Sequence, residues 1–228
     1  FYLSIIPLVI VNGGFILGYY FFKLSGRAKK AHKELKENSV TSALVTQNLQ
    51  SYWYWITDPI VKLLIKLKVS PNIITFMGLG ISCVACYLYS NNIWGLGGWI
   101  MVAGGVFDIL DGRVARSTNK VTRCGGYLDS ITDRFSDGLI FGGIAYAFKD
   151  NWMIIPTLIT IVSVNAVRYT KAKSESLGIK CDVGFFQRPE RIYSLGLSAI
   201  FTPILSYYTP IKEPVLIYFV ISILAIGT

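Results

Sequence analysis

Long apolar runs separated by short charged segments make up most of this chain. Seven runs approach the length of a membrane-spanning helix, at residues 1–22, 71–89, 93–116, 125–148, 152–171, 191–208 and 214–228. A helix needs about 20 predominantly apolar residues to cross the hydrocarbon layer, so the short last run fits either a partly interfacial helix or a longer chain. No strand-like alternation competes with this pattern. The pattern therefore predicts an all-α, polytopic membrane bundle.

The segment between the first two runs has a different pattern. Residues 23–50 are rich in lysine and are predicted to form a basic cytoplasmic linker. Residues 52–68 combine apolar side chains such as Trp55 and Leu63 with Lys62 and Lys66. Aromatic rings and long lysines suit an amphipathic helix that lies in the lipid headgroup layer. An ordinary solvated connector helix is the alternative interpretation.

Composition and charge support the membrane interpretation. Hydrophobic residues make up 53% of the 228 residues and charged residues only 15%, whereas soluble domains carry about a quarter charged residues. The net charge of +9 comes from bases in three segments, 23–70, 113–123 and 168–191, which fall on one side if the seven runs alternate across a bilayer. The positive-inside rule makes that side cytoplasmic and the N-terminus outward, and the placement disfavours a nucleic-acid-binding face.

Catalysis through histidine or cysteine has little support. The only histidine, His32, lies in the basic linker, and Cys83 and Cys86 lie within an apolar run. Their C-x-x-C spacing could mark a metal or redox pair, but no second pair or nearby histidine accompanies it, which favours packing. A Ser-His-Asp or Cys-His mechanism is therefore not indicated.

Carboxylates occur where a membrane protein should avoid them. Asp108 and Asp111 end the third run at a spacing of three, and Asp129 and Asp133 begin the fourth at a spacing of four. Each spacing places its pair on one helix face. The short turn at 117–124 predicts antiparallel neighbouring helices, so both pairs can converge near the cytoplasmic boundary. Intramembrane carboxylates indicate a functional site.

Cations are needed to hold four carboxylates together, since like charges repel strongly in a low dielectric. All-oxygen ligands favour Mg²⁺, Mn²⁺ or Ca²⁺, and two such ions about 3.5–4 Å apart can clamp a phosphoryl group. Gly112 leaves room for a ligand near the backbone, and Arg116 can bind a phosphate through two hydrogen bonds. Asp137 continues the four-residue spacing and is interpreted as a hydrogen-bonding residue of the core, with a metal role as the alternative.

These residues resemble the signature of the CDP-alcohol phosphotransferases. The matching run is Asp108-x2-Asp111-Gly112-x2-Ala115-Arg116-x8-Gly125-x3-Asp129-x3-Asp133. The resemblance implies a six-helix membrane domain within residues 51–228, to which residues 1–22 add an extra helix. It also implies a homodimer with a polar cavity open to the cytoplasm, in the inner or plasma membrane of a prokaryote.

The resemblance further implies the role of each signature residue. The four signature aspartates would hold two divalent ions, Mg²⁺ or Mn²⁺, and Asp133 would also be the general base. The CDP-lipid would contact a set of residues at the start of the second run and within the signature: Asn72, Thr75, Asp111, Gly112, Ala115, Arg116 and Gly125. A plain helix start at Pro71 is the other interpretation of the stretch around Asn72.

A cluster of basic residues within 168–191 indicates which kind of alcohol accepts the transferred phosphate-linked group. Arg168, Lys171 and Arg191 lie close to or inside apolar runs, where a basic group favours an anionic partner; a solvated positive-inside loop is the alternative. The run 168–191 also resembles that of phosphatidylinositol-phosphate synthases, with Lys173 in place of an arginine. That resemblance implies that the acceptor's phosphate contacts Arg168, Lys171, Lys173, Arg188 and Arg191.

The sequence thus predicts an enzyme that transfers a phosphatidyl or related group from a CDP-lipid, such as CDP-diacylglycerol, to a phosphorylated polyol. Inositol 1-phosphate is the expected acceptor, with glycerol 3-phosphate, serine or free inositol as alternatives. A cation transporter, whose acidic residues would be spread through the membrane depth, is a remote alternative. A catalytically inactive scaffold is disfavoured because no signature aspartate is lost.

Overall fold

The structure is a computed structural model that describes residues 47–179, 188–210 and 213–227, together with residues 13, 17–20 and 22. For residues 47–50 it describes the backbone alone. Most of the predicted first span and of the basic linker, and the stretch 180–187, therefore lie outside the described residues.

The described part of the chain is all-helical, with no strand, as the apolar pattern predicts. Its seven helices are α1 (Gln47–Lys66), α2 (Pro71–Ser90), α3 (Trp94–Ser117), α4 (Arg123–Ala147), α5 (Ile154–Ser176), α6 (Arg188–Tyr208) and α7 (Val215–Gly227). Helices α2 to α7 coincide, within a few residues, with the last six apolar runs.

Local sequence accounts for where the helices beside the site begin. The Ser70 side chain accepts a hydrogen bond from the Ile73 amide, and Pro71 occupies the first turn of α2, where its missing N–H costs nothing. The Thr122 hydroxyl accepts one from the Gly125 amide at 3.0 Å and starts α4 in the same way. Asn119 takes a positive φ of 53° in the turn after α3, a conformation that asparagine tolerates well.

Helix α2 is the element against which the two acidic helices pack. Both α3 and α4 pack closely on α2, but they are not packed against each other along their length. The prediction that α3 and α4 are direct neighbours is therefore wrong, although their carboxylates do converge. The physical reason is that the two helices diverge to line a polar cleft, and α2 supplies the apolar contacts that hold them.

Glycine permits the close approach of α4 to α2. A Cβ atom at Gly143 would lie 2.5 Å from the Cys86 carbonyl oxygen and 2.9 Å from its Cα, so no side chain fits there. Gly98 plays the equivalent part between α3 and α6, where a Cβ would lie 2.6 Å from the Gly196 carbonyl oxygen. Small residues at such positions let helix backbones meet closely.

The main apolar core fills the end of the bundle that lies away from the carboxylates. It contains Tyr89, Trp94, Phe148 and Ile144, and the rings of Trp94 and Phe148 stack with centroids 5.4 Å apart. The polar residues of the signature therefore occupy the other end of α3 and α4, near the turn that joins these helices.

Helix α1 begins at Gln47, five residues before the predicted amphipathic segment, and ends at Lys66. Its early turns are held by contacts with the first run, since buried Tyr52 packs against Phe22 with ring centroids 5.6 Å apart. Its later turns are fixed to α3 by buried Arg113. That guanidinium lies over the Tyr54 ring and donates hydrogen bonds to the Tyr54 carbonyl at 2.9 Å and to the Thr57 hydroxyl.

Among the described helices, α2 alone is both long and apolar enough to cross a membrane when judged by length and composition. Helix α7 is apolar but shorter. Helices α3 and α4 are long enough, yet they carry the charged residues of the predicted site, including Asp108, Asp111 and Asp133.

We expect Gly143→Ala to lower the free energy of unfolding by about 1–3 kcal/mol, the usual cost of overpacking, because the added methyl group collides with the α2 backbone. Gly142→Ala is the matched control, since a Cβ at Gly142 meets nothing within 4 Å. Thermal unfolding of both purified variants in detergent measures the difference. Equal melting temperatures would contradict the close α2–α4 contact.

Candidate active site

Three of the four signature carboxylates form one cluster. Asp108 projects from α3, and Asp129 and Asp133 project from successive turns of α4. One oxygen from each lies within 4.8 Å of the other two. This convergence follows from the four-residue spacing on α4 and from the way α2 holds both helices.

Asp111 lies beside this cluster with a different partner. Its Oδ2 accepts a hydrogen bond of 2.6 Å from the Thr75 hydroxyl of α2, and both side chains are buried. The same Thr75 hydroxyl oxygen lies 3.1 Å from the Pro71 carbonyl oxygen. The hydrogen bond from Thr75 to Asp111 ties the signature turn of α3 to the start of α2 and keeps one Asp111 oxygen oriented.

The residues of the cluster fit a divalent cation of the Mg²⁺ or Mn²⁺ class. Every candidate ligand atom is a carboxylate oxygen, the donor type that these hard ions prefer. Asp129 Oδ1 is buried and has no hydrogen-bond partner among the described residues. A buried carboxylate oxygen without a partner is costly, and an ion bound there would satisfy it.

An open cleft of about 270 Å³ lies on one side of the carboxylates. Its walls include all the residues that the sequence assigns to the CDP-lipid: Asn72, Thr75, Asp111, Gly112, Ala115, Arg116 and Gly125. Arg116 is exposed, and its guanidinium would lie 3.2 Å from a Cβ at Gly112. The cleft thus combines a carboxylate wall with a free basic side chain, an arrangement suited to a nucleotide diphosphate and its cations.

A second, much smaller cavity of about 20 Å³ extends from the carboxylates into the bundle. Asp108, Asp111 and Asp133 form one side of it, and Thr132, Ser136 and Asp137 continue along α4, with Arg188 and Ile192 from α6 opposite. Asp111 lines both cavities. The two spaces therefore meet at the signature carboxylates.

Arg188 lies at the boundary between the acidic cluster and the basic cluster. Its Nη1 is 2.5 Å from Asp108 Oδ1 and 2.7 Å from Asp133 Oδ1, and its Nε is 3.8 Å from Asp137 Oδ1. The sequence assigned Arg188 to the phosphate of the acceptor, and the structure places it within reach of the predicted general base as well.

Two further arginines share Asp137. Arg168 of α5 donates to Asp137 Oδ2 at 2.6 Å, and Arg191 of α6 donates to the same oxygen at 3.3 Å. The sequence had left Asp137 as a hydrogen-bonding core residue with no named partner. The spacing of four from Asp133 was the available signal, because it places Asp137 on the same face of α4.

The lysines of the predicted acceptor site are placed differently from the arginines. Lys171 and Lys173 are both exposed near the end of α5, and the residues that follow, 180–187, lie outside the described part of the chain. Their contact with an acceptor phosphate stays a prediction. Sequence reasoning also passed over Lys120 and Thr122, which line the larger cleft from the turn between α3 and α4.

Comparison with known proteins identifies relatives of this chain. Residues 68–226 match the sequence model of the CDP-alcohol phosphatidyltransferase family. A phosphatidylinositol phosphate synthase from Mycobacteroides abscessus is 32% identical over 152 residues, which cover 64% of this chain and 69% of that protein. An archaetidylinositol phosphate synthase from Methanothermobacter thermautotrophicus is 38% identical over 136 residues, which cover 59% of this chain and 67% of that protein.

Solved structures show the same fold. The phosphatidylinositol phosphate synthase of Mycobacterium tuberculosis with CDP-DAG bound superposes with a TM-score of 0.66 at 30% identity, covering 75% of this chain and 87% of that one. The same enzyme in complex with manganese and citrate gives a TM-score of 0.67 at 30% identity, covering 75% and 82%.

We expect Asp129→Asn to weaken Mn²⁺ binding by about tenfold or more, because ligand charge sets the affinity of such sites. Loss of the free Mn²⁺ signal in electron paramagnetic resonance titrations measures binding. Asp150→Asn removes an exposed carboxylate from the turn after α4 and serves as the control. Unchanged Mn²⁺ affinity in Asp129→Asn would remove this residue from the metal site.

Proposed function

This chain belongs to the CDP-alcohol phosphatidyltransferase family, and we propose that it transfers the phosphatidyl, or related lipid phosphate, group of a CDP-lipid to inositol 1-phosphate, with release of CMP. The observation that carries the proposal is the position of the signature carboxylates between an open cleft and a group of arginines. The cleft suits the CDP-lipid donor. Arg188, Arg168 and Arg191, which pair with Asp133 and Asp137, suit a phosphorylated alcohol.

The donor binds in the larger cleft. Asp108, Asp111, Asp129 and Asp133 hold two divalent ions of the Mg²⁺ or Mn²⁺ type, which supply charge neutralisation for the donor's diphosphate. Gly112 and Gly125 let the nucleotide approach the helix backbones, and Arg116 binds a phosphate oxygen. The named Mycobacterium tuberculosis complexes, one with CDP-DAG and one with manganese, support this assignment.

The acceptor binds on the α6 side of the carboxylates, with its phosphate against Arg168, Arg188 and Arg191. Asp133 takes the proton of the attacking hydroxyl, and that oxygen forms a bond to the lipid-side phosphorus. The bond from this phosphorus to the bridging oxygen of the diphosphate breaks, and CMP leaves with that oxygen. Asp133 lies beside Asp108 and Asp129 and within 2.7 Å of Arg188, so it stands between the proposed metal site and the arginines, where a base for this step is needed.

The names of the relatives favour a phosphorylated inositol as acceptor, since one is a phosphatidylinositol phosphate synthase and the other an archaetidylinositol phosphate synthase. The three arginines support an anionic acceptor of any kind. Glycerol 3-phosphate carries the same anionic group, so it remains the nearest alternative, whereas serine and free inositol lack it.

In the membrane, α2 to α7 form the six-helix core of residues 51–228, and residues 1–22 add a further spanning helix with its N-terminus outward. Residues 23–50 link the two on the cytoplasmic side, and α1 lies in the headgroup layer, with exposed Leu63 and Leu67 towards the lipid and lysines towards the headgroups. The cavities open to the cytoplasm, and two copies form a homodimer.

We expect CMP release from CDP-diacylglycerol and Mg²⁺ to be fastest with inositol 1-phosphate in a panel that also contains glycerol 3-phosphate, serine and free inositol. Loss of the acceptor's phosphate leaves the arginines without an anion and costs about tenfold or more in kcat/KM. Faster turnover with free inositol or serine would refute the phosphorylated acceptor.

The same assay tests the proposed base. Asp133→Asn keeps the size of the side chain but cannot take a proton, so kcat should fall by about 10²–10⁴-fold. Asp150→Asn is again the control. Near-normal turnover by Asp133→Asn would remove the assignment of the base.

We expect opposite ends of α4 to face opposite sides of the membrane. A variant that retains Cys124 as its only cysteine should react with a membrane-impermeant maleimide only after cells are opened, because Cys124 is exposed in the first turn of α4. With every native cysteine replaced, Asp150→Cys should react in intact spheroplasts. Labelling of both positions from one side would contradict the topology.

A further inference from the structure

Asp137 is a buried carboxylate that holds basic side chains from two other helices. Its side chain is 8% exposed, and those of its partners Arg168 and Arg191 are 18% and 5% exposed. The three residues belong to α4, α5 and α6, so the ion pairs join three helices at one point. Asp137 also lines the smaller cavity, one helical turn beyond Asp133.

Asp137 is shared among several guanidinium groups. One carboxylate accepts hydrogen bonds from Arg168 and Arg191, and Arg188 approaches it at 3.8 Å while pairing with Asp108 and Asp133. Arg168 Nη1 is buried and has no hydrogen-bond partner within the described ranges. A buried guanidinium N–H without a partner is costly unless an acceptor such as a phosphate oxygen joins it.

The location of Asp137 relates this unpartnered N–H group of Arg168 to the reacting groups. Asp137 and the proposed base Asp133 are four residues apart on α4, so the helix separates them by about 6 Å along its axis. A molecule whose phosphate meets the arginines around Asp137 therefore presents its hydroxyl groups one helical turn away, towards Asp133. A rigid helix is a precise means of fixing that separation.

We propose that Asp137 is a positioning residue, which orients Arg168 and Arg191 to receive the phosphate of the acceptor alcohol. It accepts a hydrogen bond from each guanidinium group, and this leaves Arg168 Nη1 for the phosphate. A neutral side chain would leave three neighbouring positive charges to repel one another and to rotate away. This inference rests on the proposed function, because it assumes that the acceptor carries a phosphate.

The rival explanation is that Asp137 only neutralises buried arginines and so supports folding. The two explanations differ in which kinetic constant they change. A positioning role acts on acceptor binding and leaves the donor and metal sites as they were. A purely structural role lowers stability and affects the CDP-lipid and the acceptor alike.

The test compares Asp137→Asn with the native enzyme by steady-state kinetics, using CMP release with CDP-diacylglycerol, inositol 1-phosphate and Mg²⁺. We expect the KM for inositol 1-phosphate to rise about tenfold or more, the usual loss for a charge-assisted hydrogen-bond network. The KM for CDP-lipid should stay within about twofold of the native value, since that site is untouched. Ser198→Ala, which removes a buried hydroxyl that bonds within α6, is the matched control.

Two further measurements keep the outcome decisive. Inhibition by inorganic phosphate probes the arginines without any assumption about the alcohol, and its inhibition constant should rise in Asp137→Asn by a factor similar to that in KM. Asp137→Glu keeps the charge and should recover part of the affinity. The double variant Asp137→Asn/Arg168→Gln should bind the acceptor no worse than Arg168→Gln alone, because the two residues act as one unit.

An unchanged phosphate inhibition constant in a folded Asp137→Asn enzyme would overturn the inference and leave the proposed function intact. Equal losses for donor and acceptor, together with a lower melting temperature in both Asp137 variants, would overturn it in favour of the structural role. Failure of the proposed acceptor would show instead in the native enzyme, as a preference for alcohols without a phosphate.

Discussion

The arrangement of this protein depends on one electrostatic constraint, which is that carboxylates inside a helical bundle must each have a positive or hydrogen-bonding partner. Asp111 accepts a hydrogen bond from Thr75, and Asp137 accepts two from arginines, while Asp108 and Asp133 face Arg188. Asp129 is the member whose buried oxygen has no such partner among the described residues. Each of the other four carboxylates thus has a partner, and Asp129, whose buried oxygen lacks one, lies where divalent ions are expected.

The helix packing follows from the same constraint. Two acidic helices that packed directly on each other would bury their carboxylates without room for cations or substrate. Instead α3 and α4 each pack on α2, and glycines such as Gly143 bring the backbones close enough for that contact to hold the pair. Space remains between the acidic faces, and this space is the junction of the two cavities.

The sequence predicts those features that are encoded locally. Apolar run length placed six helices within a few residues of their observed ends, and residue spacing placed Asp129 and Asp133 on one face. Features that depend on three-dimensional packing could not be predicted from the sequence. The short turn between α3 and α4 led to the prediction that these two helices pack on each other. Loop length limits the distance between the end of one helix and the start of the next, but it does not show that both pack on α2 instead. The early turns of α1 are held by the contact of Tyr52 with Phe22. The two arginines that donate hydrogen bonds to Asp137 lie 31 and 54 residues further along the chain.

Helix α4 shows how one element can organise both substrates. Its three aspartates repeat every four residues, and each has a different environment: Asp129 lines the larger cleft, Asp133 faces Arg188 in the smaller cavity, and Asp137 lies among the arginines of α5 and α6. A helix fixes the distances between these positions more firmly than loops would. In the proposed reaction the phosphorus, the base and the acceptor's phosphate would therefore be set along one axis, and an acceptor would be selected by the separation between its hydroxyl and its anionic group as well as by its charge.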